Sequence, residues 1–183
     1  MNLGYFTFPI HPTDKNYYQS LMEDRQSVIL ADKLGFKEAF IGEHLTDKCE
    51  KITSCANFIS SLIFETKKIK LATGTLNLPN SHPAAIAGQV AMLDNMLKGR
   101  FIMGIGPGSL TSDMEVFDTL NKNRTEMFLE SIQHIFDIWN AEGPIDLKGK
   151  YWNISTKNTF DNDLNIGVIP KPYQKPNPEI VVT

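Results

Sequence analysis

Cysteine is scarce in this sequence. Cys49 and Cys55 are the only two among 183 residues, too few for a disulfide framework. No apolar run approaches the ~20 residues of a membrane-spanning helix. The opening MNLGYFTFPI has no basic lead and no small-residue cleavage site, so it reads as a first strand rather than a secretion signal. A cytoplasmic protein is therefore expected. Positive charge is also short. The formal net charge is −3, and the densest basic cluster, Lys67, Lys68 and Lys70, precedes an apolar strand like a solvated helix end. That excludes nucleic acid as the main partner. There is no HExxH, and neither cysteine has a histidine at ligand spacing, so no metal centre is expected. There is no GxSxG elbow, and no GxGxxG follows the first strand, which argues against an α/β hydrolase and a dinucleotide fold.

What is present is an apolar chain, 42% hydrophobic, of a length that suits one domain, residues 1–183. Short apolar runs at 2–8, 38–42, 69–76, 101–106 and 179–183 predict strands. Helical spacing predicts helices over 16–34, 54–65, 83–97 and 123–139. The first has an apolar face of Tyr18, Leu21, Met22, Val28, Ile29 and Ala31, with Gly35 at its exit. The third starts at Pro83 and carries Ile86, Val90, Leu93 and Leu97; the fourth carries Phe128, Ile132, Ile135 and Trp139. Strand–helix alternation of this kind implies an α/β fold with parallel strands and right-handed crossovers. A doubly wound sheet and a (β/α) barrel both fit. Residues 143–178 break the pattern. GKYWNIS suits a short hairpin strand, and PKPYQKPNP holds four prolines in nine residues, so this stretch predicts a long covering or functional loop.

In parallel α/β folds, ligands sit beyond the C-terminal ends of the strands. The residues following each strand are therefore the candidates. They are His11 after the first, Glu43 and His44 after the second, Thr73, Thr75, Asn77 and His82 after the third, and Gly106, Gly108 and Ser109 after the fourth, where Gly104 is the first of three spaced glycines. Imidazole suits acid–base work near neutral pH. Glycine-rich loops with free N–H groups hold anions. Each residue also has a plainer role: a loop hydrogen bond for His44, a cap or ion pair for Glu43, a turn for the glycines. His82, just before Pro83, suits a helix start. Neighbouring residues on an extended strand face opposite ways, so joint action by Glu43 and His44 depends on the loop.

Five stretches, in order, carry a resemblance: MNLGYFTFP, GFKEAFIGEH, TGTLNLPNSHP, LDNMLKGRFIMGIGPG and NRTEMFLESIQHIFDIW. Together with KPYQKPNPEIVVT they resemble the luciferase-like flavin-dependent monooxygenases, most closely the limonene monooxygenase-like branch. The resemblance implies a (β/α)8 TIM barrel that binds FMN, reduced by a separate flavin reductase, at its C-terminal mouth. With molecular oxygen it would oxidise a small apolar substrate, terpene- or aldehyde-like. It implies His44 as the catalytic histidine and Glu43 beside it in the flavin pocket. Gly74 and Thr75 match a bulged third strand, often with a non-proline cis peptide against the flavin. Asn77 would face the ring, and Gly106, Gly108 and Ser109 would lie near the flavin and its phosphate tail. Leu45 stands where the luciferase branch has a second histidine. Pro107 stands where it has an arginine, so the phosphate must meet other groups here.

Members of that family run to about eight strand–helix units, whereas four units and a fifth strand are read here. The expectation is an incomplete barrel: a piece of a longer chain in preference to half of an intermolecular closure. On that expectation the isolated chain binds FMN weakly and turns over nothing. The family also implies a homodimer through the helices after the second and third strands, with Phe58, Ile59, Leu62 and Ile63 as the apolar stripe. Two alternatives stay open: a non-catalytic flavin- or ligand-binding relative, and a deazaflavin-dependent oxidoreductase.

Overall fold

The computed structural model describes residues 3–183; Asn2, the first residue of the predicted strand 2–8, lies outside them. The remaining strand is β1 (Gly4–Thr7). It leads into α1 (Tyr17–Leu34), which Asn16 caps by accepting the Gln19 N–H at 3.0 Å and Gly35 ends at φ 87°. β2 (Glu38–Ile41) and α2 (Cys55–Ser60) follow. β3 (Lys70–Thr73) and β4 (Leu76–Asn77) precede α3 (Pro83–Leu97), and β5 (Phe101–Gly106) precedes α4 (Thr111–Val116) and α5 (Arg124–Asn140). A hairpin of β6 (Asp146–Lys148) and β7 (Asn153–Ser155) comes before β8 (Glu179–Val182).

The order of pairing decides between the two architectures. β1, β2, β3, β5 and β8 lie side by side in chain order, all parallel. A doubly wound sheet would reverse direction at a switch point. This singly wound order is that of a TIM barrel, open here with β1 and β8 as its edges. Its two faces separate cleanly. Tyr5, Ala39, Leu71 and Phe101 stand in one row across the strands and pack into the core with the helices. Phe6, Phe40, Ala72 and Ile102 form the neighbouring row on the opposite, inner face. Residues alternate between faces because the strand repeat is two.

Several expectations change in three dimensions. The stretch 69–76 is not one strand: it breaks after Thr73 at a cis Gly74–Thr75 peptide and resumes as β4. The break has a packing partner. Thr73 turns its carbonyl into the space where Gly104 lacks a side chain, and its hydroxyl donates to the Gly104 carbonyl at 2.7 Å. α2 stops at Ser60, five residues before the predicted end, and the Ser61 hydroxyl donates back to the Phe58 carbonyl. Tyr18 is exposed, outside the core that holds Val28, Ile29 and Ala31. The proposed dimer stripe is buried inside this chain: Phe58, Ile59, Leu62 and Ile63 all belong to its core. Phe58 and Ile59 on α2, and Leu62 and Ile63 in the turn after it, join the same core as Leu71.

α3 and α5 behave as their spacing predicts. Ile86, Val90, Leu93 and Leu97 are buried, as are Phe128, Ile135 and Trp139, and the Trp139 indole donates to the Ala87 carbonyl at 3.1 Å. The segment 143–178 covers this pair rather than the mouth. Glu130 on α5 accepts the N–H groups of Lys150, Tyr151 and Trp152, and Asp94 on α3 accepts from Gln174. Among the described residues no helix is long and apolar enough to cross a membrane.

Candidate active site at the strand ends

A cavity of about 410 Å³ opens at the C-terminal ends of the strands, within the size range of ligand sites. Glu43, His44, Gly74, Thr75, Asn77, Gly108 and Ser109 all line it, together with Phe6, Phe8 and Phe40. Most of the predicted rim residues therefore converge; Gly106, Gly104 and His11 do not serve the cavity, and His82 starts α3 as its place before Pro83 suggests. Gly106 does not line the cavity; a side chain there would meet the hydroxyls of Thr75 and Thr183. Gly104 reaches the cavity but is a packing glycine, its missing Cβ replaced by the Thr73 carbonyl. His11 and His82 point elsewhere. His11 bonds Asp24 on α1 at 2.9 Å, and His82 caps α3 by accepting the Ala84 N–H.

His44 is held on two sides. Its ring stacks on Phe8 at 5.4 Å between centroids and 15° between planes. Its Nδ1 lies 2.8 Å from a carboxylate oxygen of Glu50. The Phe8 ring fills the space that a Gly42 side chain would need, so the glycine before Glu43 lets β1 and β2 bring the two rings together. The loop after His44 is tied down by Asp113 on α4. That buried carboxylate accepts the N–H of Leu45 at 3.1 Å, the N–H of Thr46 at 2.9 Å and the Thr46 hydroxyl at 2.5 Å.

Glu43 reaches the same cavity because it lies past the end of β2, where strand alternation no longer applies. One carboxylate oxygen accepts the Cys55 N–H at 2.8 Å. Burial pushes its pKa above the usual carboxylate range, and the bonds from Cys55 and Asn77 pull it only part of the way back. The Cys55 thiol is driven far upward by burial and by the neighbouring Glu43, so it is a poor nucleophile. Both cysteines are free.

The glycine loop carries a positive charge that its own sequence does not show. Arg124, the first residue of α5, donates to the Pro107 carbonyl and the Thr119 hydroxyl, and to Asn80 at 3.2 Å. Its guanidinium occupies the space beside Gly108, which has φ 79°. The buried Nε has no protein partner among the described residues. Asn77 lies against the same spot and accepts the Thr75 hydroxyl at 3.2 Å. Among the described residues no group of three His, Cys, Asp or Glu side chains is placed to hold a metal.

Glu50, Asp113 and Arg124 were missed as site residues by reading along the chain.

A singly wound parallel α/β sheet with its polar groups gathered at one mouth has the strand order of a (β/α) barrel, not closed here. The chain belongs to the luciferase-like monooxygenase family, whose sequence model matches residues 1–183. It is 30% identical over 145 residues to the 4-hydroxyprotoasukamycin monooxygenase of Streptomyces nodosus subsp. asukaensis, covering 79% of this chain and 39% of that protein. It is 34% identical over 116 residues to the limonene 1,2-monooxygenase of Rhodococcus erythropolis, covering 63% and 30%. The oxygenating constituent of 3,6-diketocamphane monooxygenase from Pseudomonas putida, a type II Baeyer–Villiger enzyme solved with FMN, superposes with a TM-score of 0.90 at 28% identity. That match covers 100% of this chain and 51% of that one. The chain thus spans about half the length of that structure and less of the two sequence relatives.

Proposed function

We propose that this chain forms the flavin-facing half of an FMN-dependent monooxygenase that oxidises a small apolar substrate. One observation carries the reading: a single cavity joins His44, the Gly74–Thr75 peptide and the Pro107–Ser109 loop. The cavity fits a flavin in kind. Its walls pair the aromatic rings of Phe6, Phe8 and Phe40 with the polar Thr75, Asn77 and Ser109, and the Arg124 guanidinium stands beside Gly108 at the loop. Reduced FMN, when bound, would supply the two electrons that activate molecular oxygen. A separate reductase recharges it, in keeping with the FMN-bound relative being an oxygenating constituent.

The chain's own residues divide the remaining work. Gly74, Thr75 and Asn77 would hold the ring system, with Glu43 packed behind them. Gly108, Ser109 and Arg124 would meet the anionic tail, the guanidinium supplying the charge that Pro107 does not. His44 moves a proton at Nε2, the nitrogen that Glu50 leaves free. Phe6, Phe8 and Phe40 offer an apolar wall to the substrate. A homodimer through the second and third helices belongs to the same proposal. Its contacts would come from exposed Phe64, Met92 and Met96, since the earlier stripe is buried. We place the protein in the cytoplasm, where free thiols stay reduced.

The test is cofactor choice by the 183-residue chain. FMN, riboflavin and a deazaflavin are titrated while flavin fluorescence is followed. FMN bound more tightly than the other two is the expected result. Preference for the deazaflavin would move the reading to hydride transfer. Oxygen-dependent product from this chain with reduced FMN and a terpene or bicyclic ketone would overturn the expectation that the isolated half is inactive.

A further inference from the structure

Glu50 lies outside every motif that suggested a site, yet among the described residues it makes the one side-chain hydrogen bond to the His44 ring. Its carboxylate oxygen is 2.8 Å from Nδ1, and both side chains are largely covered, at 21% exposure for His44 and 13% for Glu50. The loop that carries it is built to hold that position. Glu50 pairs antiparallel with Ile10 beyond β1, the His11 N–H donates to the Cys49 carbonyl at 3.0 Å, and the Asp47 carboxylate accepts the N–H groups of Cys49 and Glu50. The His44 N–H donates to the Ile52 carbonyl at 3.2 Å, closing the loop on itself. Phe8 supports the ring face.

We infer that Glu50 is the positioning residue of His44, holding the neutral ring with its proton on Nδ1 and its lone pair on Nε2 toward the cavity. The chemistry is simple. A carboxylate only accepts, so the nitrogen facing it must carry the proton. The other nitrogen is then a proton acceptor, and when it takes a proton the resulting imidazolium lies against an anion. The other carboxylates of this region are engaged elsewhere: Glu43 accepts the Cys55 N–H, Asp47 the N–H groups of Cys49 and Glu50, and Asp113 the amides of Leu45 and Thr46. This rests on His44 acting in the proposed reaction, but the tautomer can be read without flavin.

The experiment is long-range proton–nitrogen NMR of the 15N-labelled 183-residue chain, with His44→Gln to assign the ring. Spectra are taken at about pH 8.5, two units above the ordinary imidazole value of about 6.5. The unaltered chain should show Nδ1 protonated and Nε2 bare. The reverse tautomer overturns the inference by itself, whether or not any variant folds. Glu50→Ala should shift both nitrogens toward averaged positions, whereas Glu50→Gln, whose carbonyl still accepts, should keep the original pattern. An unchanged spectrum in Glu50→Ala also overturns it. FMN titration of the same samples separates the two ideas. Failure to bind FMN with the Nδ1–H tautomer intact sinks the flavin reading and supports the Glu50 placement. FMN binding with the wrong tautomer sinks only Glu50.

Discussion

Gly104→Ala separates two reasons for a glycine at the cavity wall. If Gly104 exists to admit a ligand, alanine lowers affinity and leaves the fold intact. The structure gives the other reason. An added Cβ would fall well under 3.0 Å from the Thr73 carbonyl oxygen, a backbone atom with no rotamer to escape into. Relief requires moving β3 away from β5 at the point where the strand breaks. Overpacking of this kind costs about 1–3 kcal/mol. The buried bond from the Thr73 hydroxyl to the Gly104 carbonyl, 2.7 Å long, would be lost with it, for about 1 kcal/mol more. A destabilisation of about 2–4 kcal/mol is expected. In urea, with a slope of about 2 kcal/mol per molar, that moves the unfolding midpoint down by about 1–2 M. Circular dichroism of the chain and of the variant measures it. Gly4→Ala is the control, because nothing lies within 4 Å of the Cβ it would add. A Gly104→Ala midpoint within about 0.3 M of the parent, combined with lost FMN binding, would refute the packing explanation and restore the ligand one.

Asp113→Ala removes the acceptor for two amides and one hydroxyl that hold the turn after His44. Bonds to a charged group are worth about 1.5–3 kcal/mol, so a loss of roughly 3 kcal/mol in urea unfolding is expected; a loss below about 1 kcal/mol contradicts the clamp. Glu43 has its folded pKa raised by burial. Its contribution is therefore fully present below its unfolded pKa and is lost as pH rises through the folded value. Glu43→Gln should flatten that decline toward neutral pH, and parallel stability–pH curves for the two proteins would show the carboxyl is not responsible. Arg124→Gln should weaken FMN by about 10- to 100-fold, the worth of one charged contact. Riboflavin, lacking the phosphate, should be affected little, and equal weakening of both ligands would remove Arg124 from the anion site.

The sequence by itself determined the elements and their order. Apolar runs and the 3.6-residue period are local properties, and they placed four strand–helix units and a fifth strand, although α2 ends five residues before its expected end, the third strand breaks after Thr73 and α4 was not read. Caps such as Asn16, Gly35 and His82–Pro83 are equally local, since each acts on amides or dihedrals within a turn. His44, Glu43, Gly74, Thr75 and Asn77 were also legible, because a parallel α/β fold puts whatever follows its strands at one mouth. What no window of the chain contains is a partner across the fold. The order of strands follows from which hydrogen bonds close in space, so barrel and doubly wound sheet could be told apart only there. Gly104 looked like a ligand glycine because its true neighbour, Thr73, is 31 residues away. Asp113 grips amides 67 and 68 residues before it. Arg124 meets Pro107 only because α5 begins beside the loop after β5. Phe58, Ile59, Leu62 and Ile63 show the same limit from the other side. An apolar stripe is visible in sequence, but whether it faces the protein's own sheet or another copy depends on where the helix lies. These assignments depend on distances between elements, and tertiary packing alone sets those distances.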